Sequence, residues 1–204
     1  SYIPWLHNII SYYLYTFHSF SKVCITPSPT LAKQYKHPNA IGILNGCNTS
    51  EFTTEGKLHK DIEKIEGPKW LYVGRVSPEK NIDAFISICD KLPGSLIIVG
   101  SGPSISNIKQ SKNIYYLGWK CGKELSEIYR SCDVFVFPSK TDTFGQVMVE
   151  AMASGLPVAA HPVIGPIDVV KDGDTGCLHE DLKQACESAY KPVSYTHLTL
   201  PTNG

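Results

Sequence analysis

Arg75 and Lys80 stand five positions apart in the stretch GRVSPEKN, residues 74–81, while Asp142 and Glu150 stand eight apart in DTFGQVMVE, residues 142–150. Two fixed positive charges ahead of a helix start read as a phosphate clamp, because a helix N-terminus itself favours anions. Gly74 between the first strand and Arg75 lets a backbone come close to that phosphate. Taken alone, Arg75 and Lys80 also fit a solvated loop with two incidental bases. Glu150 is embedded in the apolar run VMVEAMA, and a carboxylate buried there is costly unless it has a partner. That partner is either an internal Arg or Lys or a ligand rich in hydroxyls. The backbone N–H of Gly145, at the positive end of the same helix, is placed for an anion. Two bases at one strand end and two carboxylates flanking an anion site at another suit a phosphate-bearing sugar compound.

Such residues need a scaffold that brings strand ends together. From Lys69 onward, continuous apolar runs at 70–73, 95–99, 114–117, 133–137 and 157–160 alternate with helical stretches at 82–92, 105–109, 122–131, 145–154 and 182–190. Runs without polar alternation suit strands buried on both faces, so the spacing predicts a doubly wound α/β domain, a parallel sheet with helices on both faces. Ligands of such sheets sit beyond the carboxyl ends of the strands, which is where Arg75 and Asp142 fall. Gly100-Ser101-Gly102 lacks the third glycine of a dinucleotide fingerprint, since Ile105 stands there, and reads as a tight turn.

Residues 1–20 hold seven aromatic residues and space their apolar positions three or four apart, which predicts an amphipathic helix. With no Lys or Arg before Lys22, packing against protein suits it better than a membrane surface. A short strand, a helix capped by Ser28 with Pro29 in its first turn, and a strand at 41–44 closed by an Asn45-Gly46 turn follow. Residues 53–68, rich in Lys and Glu, read as a linker or solvated helix.

The 204 residues carry 19 Lys and Arg against 19 Asp and Glu, which argues against a nucleic-acid partner. Seven cysteines, an odd count with no C-x-x-C pair, suit free thiols in a reducing compartment. No apolar run is long enough to span a membrane, and no secretory signal is visible in residues 1–21. The expectation is a cytoplasmic chain, at most associated with the inner face of a membrane.

GRVSPEKN followed by D-T-F-G-x-x-x-x-E-A-M-A-S-G-L-P-V resembles the donor-binding half of retaining glycosyltransferase family 4, which has the GT-B fold of two facing Rossmann-like domains. The likeness extends over most of residues 21–180, including TPSPTLA, NGCNTSEF, VGSGP, LGW and DGDTG. It implies that Arg75 and Lys80 hold a diphosphate and that Glu150 accepts from ribose hydroxyls. It implies further that Asp142 contacts the donor sugar and that backbone N–H groups of Phe144, Gly145 and Gln146 meet phosphate and sugar. The nucleobase would lie near Trp119 and Lys120, with Leu125 as an apolar neighbour. Arg75, Lys80 and Asp142 would then be the catalytic groups.

No metal or other cofactor is implied, and Asp172-Gly173-Asp174 is too short for a calcium loop. The implied partners are a nucleotide-sugar donor and an unknown acceptor, whether glycan, lipid or small molecule. Three departures stand out: Asp142 where the family usually has Glu, NGCN where N-G-V-D is commoner, and no counterpart of the acceptor domain's histidine-bearing loop. His7 and His18 do not match that loop, and His161 reads as structural. The resemblance divides the chain into the end of an acceptor domain (1–52), a linker (53–68), a donor domain (69–192) and a tail (193–204). That tail resembles translated adapter sequence. The leading expectation is a sugar transferase whose given chain lacks one wall of the active site. A nucleotide-sugar-binding module and a GT-B-fold sugar-nucleotide epimerase are the rivals.

Overall fold

The computed structural model describes residues 4–35, 37–108 and 112–191; the expected tail, 193–204, lies outside them. It divides into two compact units, Ser1–Asn45 and Gly46–Gly204.

In the first unit, helix α1 (Pro4–Ser19) precedes strand β1 (Cys24–Thr26), helix α2 (Pro29–Gln34) and strand β2 (Ala40–Gly42). The two strands pair in parallel, with Ile25 opposite Ile41. Ser28 caps α2 as expected, its hydroxyl accepting from the Leu31 N–H at 3.0 Å, and Pro29 occupies the first turn. Ser28→Ala should therefore cost about 1 kcal/mol, read as a lower midpoint for this unit in urea. The amphipathic helix forms, yet Trp5, Tyr12, Tyr13 and Phe17 are exposed. The expected Asn45-Gly46 turn does not form, and β2 has a parallel partner and no hairpin to close. No helix among the described residues is long and apolar enough to cross a membrane.

The second unit holds a six-stranded parallel sheet of β3 (Lys69–Val73), β4 (Ser95–Val99), β5 (Ile114–Gly118), β6 (Val134–Phe137), β7 (Val158–Ala160) and β8 (Gly176–Leu178). Their order is β5-β4-β3-β6-β7-β8, the doubly wound arrangement with its reversal between β3 and β6. Helices α3 (Ile82–Ser87), α4 (Gly122–Arg130), α5 (Gln146–Ala153) and α6 (Pro166–Val169) lie between strands, and α7 (Leu182–Tyr190) follows β8. Alternate strand residues face opposite layers. Trp70, Tyr72, Leu96, Ile98 and Val136 pack with Phe85 of α3 and Leu182 and Cys186 of α7. On the other face the Phe135 ring meets Tyr129 of α4 at 5.9 Å.

The expected helix at 82–92 breaks into α3 and a 3-10 turn, Cys89–Lys91, and the one at 105–109 is a 3-10 stretch, Pro103–Asn107. The expected tight turn at Gly100-Ser101-Gly102 does not form: the chain runs on beside the one leaving β3, with the Val76 N–H donating to the Ser101 carbonyl at 2.9 Å. A Cβ on Gly100 would lie 1.8 Å from the Gly74 carbonyl oxygen, and one on Gly102 would lie 2.2 Å from that of Val76. Two glycines thus let the chain leaving β4 lie flush on the chain leaving β3.

The division falls before Gly46, and the stretch 46–68 packs on the second unit. Phe52 and Ile62 are buried, and the Ser131 hydroxyl accepts from the His59 N–H at 2.7 Å. Arg130 donates to the Thr53 and Lys57 carbonyls at 3.3 and 3.2 Å. These bonds hold the polar segment, read as a linker or solvated helix, against α4.

Candidate functional site

Successive strands step away from β3 in one direction through β4 and in the other through β6, which opens a crevice beyond their carboxyl ends. Two cavities meet there, of about 260 and 480 Å³, sharing Val73, Gly74, Arg75 and Val147. Lys80, Asp142, Gly145 and Gln146 line the smaller. Trp119, Lys120, Leu125 and Glu150 line the larger. Of the residues expected to touch the donor, only Phe144 borders neither: it is buried, with its backbone against Gly165.

Lys80 and Asp142, expected to serve different parts of a ligand, form an ion pair with each other, their side chains 30% and 21% exposed. Local structure holds both ends of this pair. Asn81 adopts a left-handed conformation, φ 55°, and donates from Nδ2 to the Pro138 carbonyl at 3.0 Å. The Thr141 hydroxyl donates to the Glu79 carbonyl at 3.2 Å. These bonds tie the turn carrying Lys80 to the loop carrying Asp142. Arg75 Nη1 lies 3.5 Å from Glu79 Oε1 in a solvent-facing pair, a contact too weak to fix the guanidinium. The Arg75 backbone is fixed instead, because the Tyr72 hydroxyl donates to its carbonyl at 2.6 Å. Burial, then the charges of Asp142 and Glu79, push the Tyr72 hydroxyl well above the ordinary tyrosine range, so it stays a donor.

Gly145 precedes α5 at φ 79°, a left-handed conformation. A Cβ there would lie 2.6 Å from Met148 Cε and 2.9 Å from Phe137 Cζ. Glycine is therefore required both by backbone and by space. No side chain caps α5, whose start borders the smaller cavity; the Met148 N–H is taken by the Gly145 carbonyl at 2.9 Å, which leaves the N–H groups of Gln146 and Val147 to face an anion.

Glu150 sits one turn further along α5. Among the described residues no basic side chain pairs with it. Its partner is the Tyr129 hydroxyl, 3.1 Å from Oε2, a third option beside the base and the ligand that the sequence left open. Burial raises its pKa above the ordinary 4.5, the Tyr129 hydrogen bond lowers it and the Glu51 carboxylate raises it. A tyrosine neutralises no charge, so the carboxylate keeps accepting capacity toward the larger cavity.

Lys120, just ahead of α4, donates to Glu124 Oε1 in its first turn at 2.6 Å, and this bond foremost holds the Glu124 carboxyl below its usual range. Trp119 stands exposed at the cavity mouth. His161 is buried, borders neither cavity, and burial lowers its pKa. Asp172 accepts from the Leu178 N–H at 2.8 Å, and Asp174 pairs with Lys171. Among the described residues no three His, Cys, Asp or Glu side chains are grouped to hold a metal. His7 and His18 lie on α1.

A family model described as glycosyl transferases, group 1, matches residues 67–191. Sulfoquinovosyl transferase SQD2 of Arabidopsis thaliana is 32% identical over 185 residues, covering 87% of this chain and 36% of that protein. A GDP-mannose-dependent alpha-mannosyltransferase of Mycobacterium tuberculosis is 40% identical over 108 residues, 52% of this chain and 29% of that one. The chain thus spans about a third of the length of these curated relatives. Anabaena HepE, solved with UDP and glucose, superposes with a TM-score of 0.74 at 20% identity, covering 91% of this chain and 57% of its own. Sucrose-phosphate synthase from Thermosynechococcus elongatus gives 0.72 at 25% identity, covering 85% and 50%.

Proposed function

We propose, from the premise that this chain belongs to the group 1 glycosyl transferases and shares the α/β fold of GT-B enzymes, that its crevice holds a nucleoside-diphosphate sugar donor. One observation carries the reading: two cavities join at Gly74 and Arg75, with a carboxylate in each, Asp142 on one side and Glu150 on the other. A diphosphate at the junction places a sugar in the smaller cavity and a nucleoside in the larger. Arg75, Lys80 and the first turn of α5 then face the phosphates. Glu150 accepts from the ribose hydroxyls, and Trp119, Lys120 and Leu125 border the base. On binding, Lys80 exchanges Asp142 for phosphate, which releases Asp142 to the hydroxyls of the donor sugar.

The whole-protein reaction breaks the bond between the sugar's anomeric carbon and the phosphate oxygen and forms one to an acceptor oxygen, with retention of configuration. Negative charge grows on the departing diphosphate, where Arg75 and Lys80 stabilise it electrostatically. That charge complement is why the reading requires no metal. Six free cysteines among the described residues suit a reducing, cytoplasmic setting.

A second reading is a donor-binding module without turnover. Incubating the chain with UDP-, GDP- and ADP-sugars while following nucleoside diphosphate release and sugar configuration separates the readings. Release of a sugar with the donor's anomeric configuration supports the retaining enzyme. Saturable binding without release supports the module, whereas an inverted or epimerised sugar contradicts both.

A further inference from the structure

Tyr129 lies on α4, 21 residues before Glu150, with its side chain fully enclosed. Its ring is wedged between the Phe52 ring, edge-on at 5.7 Å, and the Phe135 ring at 5.9 Å. Packing of that kind fixes the hydroxyl in space. The hydroxyl has two acceptors in reach, Glu150 Oε2 at 3.1 Å and the Val147 carbonyl at 3.3 Å, and one proton to give. An ionised carboxylate takes it, because a charge-assisted hydrogen bond is the stronger of the two. The result is a carboxylate fixed at one oxygen by a rigid donor.

We infer that Tyr129 is a positioning residue for Glu150, setting the carboxylate's orientation toward ribose hydroxyls in the larger cavity and thereby the preference for a ribonucleotide. This rests on the reading of Glu150 as the ribose partner. Phe52 extends the arrangement: the stretch just after Gly46 delivers its ring to the back of Tyr129, and Cys47 and Glu51 of the same stretch bring a thiol and a carboxylate near Glu150. The titratable groups facing Glu150 are therefore Tyr129 from α4, Cys47 and Glu51 from that stretch, and Arg75 and Lys120 across the cavity.

Ionised Glu150 accepts from ribose, so affinity falls as pH drops through its pKa. Burial and Glu51 raise that pKa, whereas the Tyr129 hydrogen bond lowers it. Without the hydroxyl, the loss of affinity begins at a higher pH.

The test measures, by calorimetry and against pH, the binding of whichever of UDP, GDP and ADP the chain takes, beside its 2′,3′-dideoxy analogue. Tyr129→Phe should lower the preference for the ribose form by about three- to tenfold, less than the loss of a whole charge-assisted hydrogen bond because Glu150 itself is retained. It should also move the acid limb of the ribonucleotide curve upward, and add nothing in a Glu150→Gln background. 3-Fluorotyrosine at 129 keeps the ring and the hydroxyl, makes the hydroxyl a stronger donor, and should move the limb downward. It serves equally where the Phe variant does not fold. A Tyr129→Phe protein with a changed thermal midpoint but wild-type preference and pH profile would overturn the inference, as would a limb unmoved by fluorination. Should Glu150→Gln itself leave the preference intact, the ribose reading of Glu150 fails first.

Discussion

Lys80→Ala should weaken nucleoside diphosphate binding by about 1 to 3 kcal/mol, the loss of a charge-assisted contact in a partly enclosed site. Two effects combine. The diphosphate loses a cation, and Asp142, whose side chain is only 21% exposed, loses its ion-pair partner and stays as an unneutralised carboxylate beside the anion. Lys80→Ala/Asp142→Asn removes the second effect alone, so it should restore part of the affinity and any lost thermal stability without regaining wild-type binding. Arg75→Ala should fall in the same range, because its solvent-facing pair with Glu79 at 3.5 Å opposes little of the guanidinium's movement to phosphate. Calorimetric titration of the three variants decides the matter. Wild-type affinity in both Lys80→Ala and Arg75→Ala would remove the phosphate clamp.

Gly100→Ala should destabilise the second unit by about 3 kcal/mol or more, combining backbone strain with overpacking. Gly100 has φ 140°, and its new Cβ would stand 1.8 Å from the Gly74 carbonyl oxygen. That obstacle is backbone, so no side chain can rotate away. The relief is to part the ends of β3 and β4, at the expense of the Gly74 N–H to Val99 bond at 3.0 Å and the Val76 N–H to Ser101 bond at 2.9 Å. Gly74 and Arg75 form the junction of the two cavities, so stability and nucleotide affinity should fall together. Gly46→Ala is the control: its Cβ would meet nothing within 4 Å, and its denaturation midpoint should match wild type. A Gly100→Ala protein that unfolds at the wild-type denaturant concentration would contradict the close approach of the two strand ends.

Continuous apolar runs made most of the sheet legible: β4 and α7 have the expected bounds, and β3, β5, β6 and β7 lie within a residue of theirs. β8 and α6, of three and four residues, are too short for periodicity to register. The 3-10 turns at 89–91 and 103–107 share the hydrophobic spacing of a helix and differ in hydrogen bonding, which spacing does not report. At the site, each predicted residue was legible through its own neighbours: a strand end, a helix start, an apolar run. Pairings over long sequence separations were not. Lys80 and Asp142 are 62 residues apart, and their ion pair arises only when the β3 and β6 exits are side by side. Tyr129 reads as one more apolar residue on the buried face of α4, and only the packing of α4 beside α5 turns its hydroxyl toward Glu150. Asn81 carries no motif of its own in the sequence, although its left-handed backbone and its bond to the Pro138 carbonyl hold the turn that carries Lys80.

Thermal denaturation of the chain with UDP-, GDP- and ADP-sugars, run beside Lys80→Ala, tests the donor site most directly. A ligand that binds only the folded state adds about 2.7 kcal/mol at one hundred times its dissociation constant, a readily measured rise in midpoint. One class of nucleotide sugar should raise the wild-type midpoint saturably, and the same concentration should raise that of Lys80→Ala far less. No rise with any of the three classes, or an equal rise in the two proteins, would contradict a donor held at the β3 and β6 crevice.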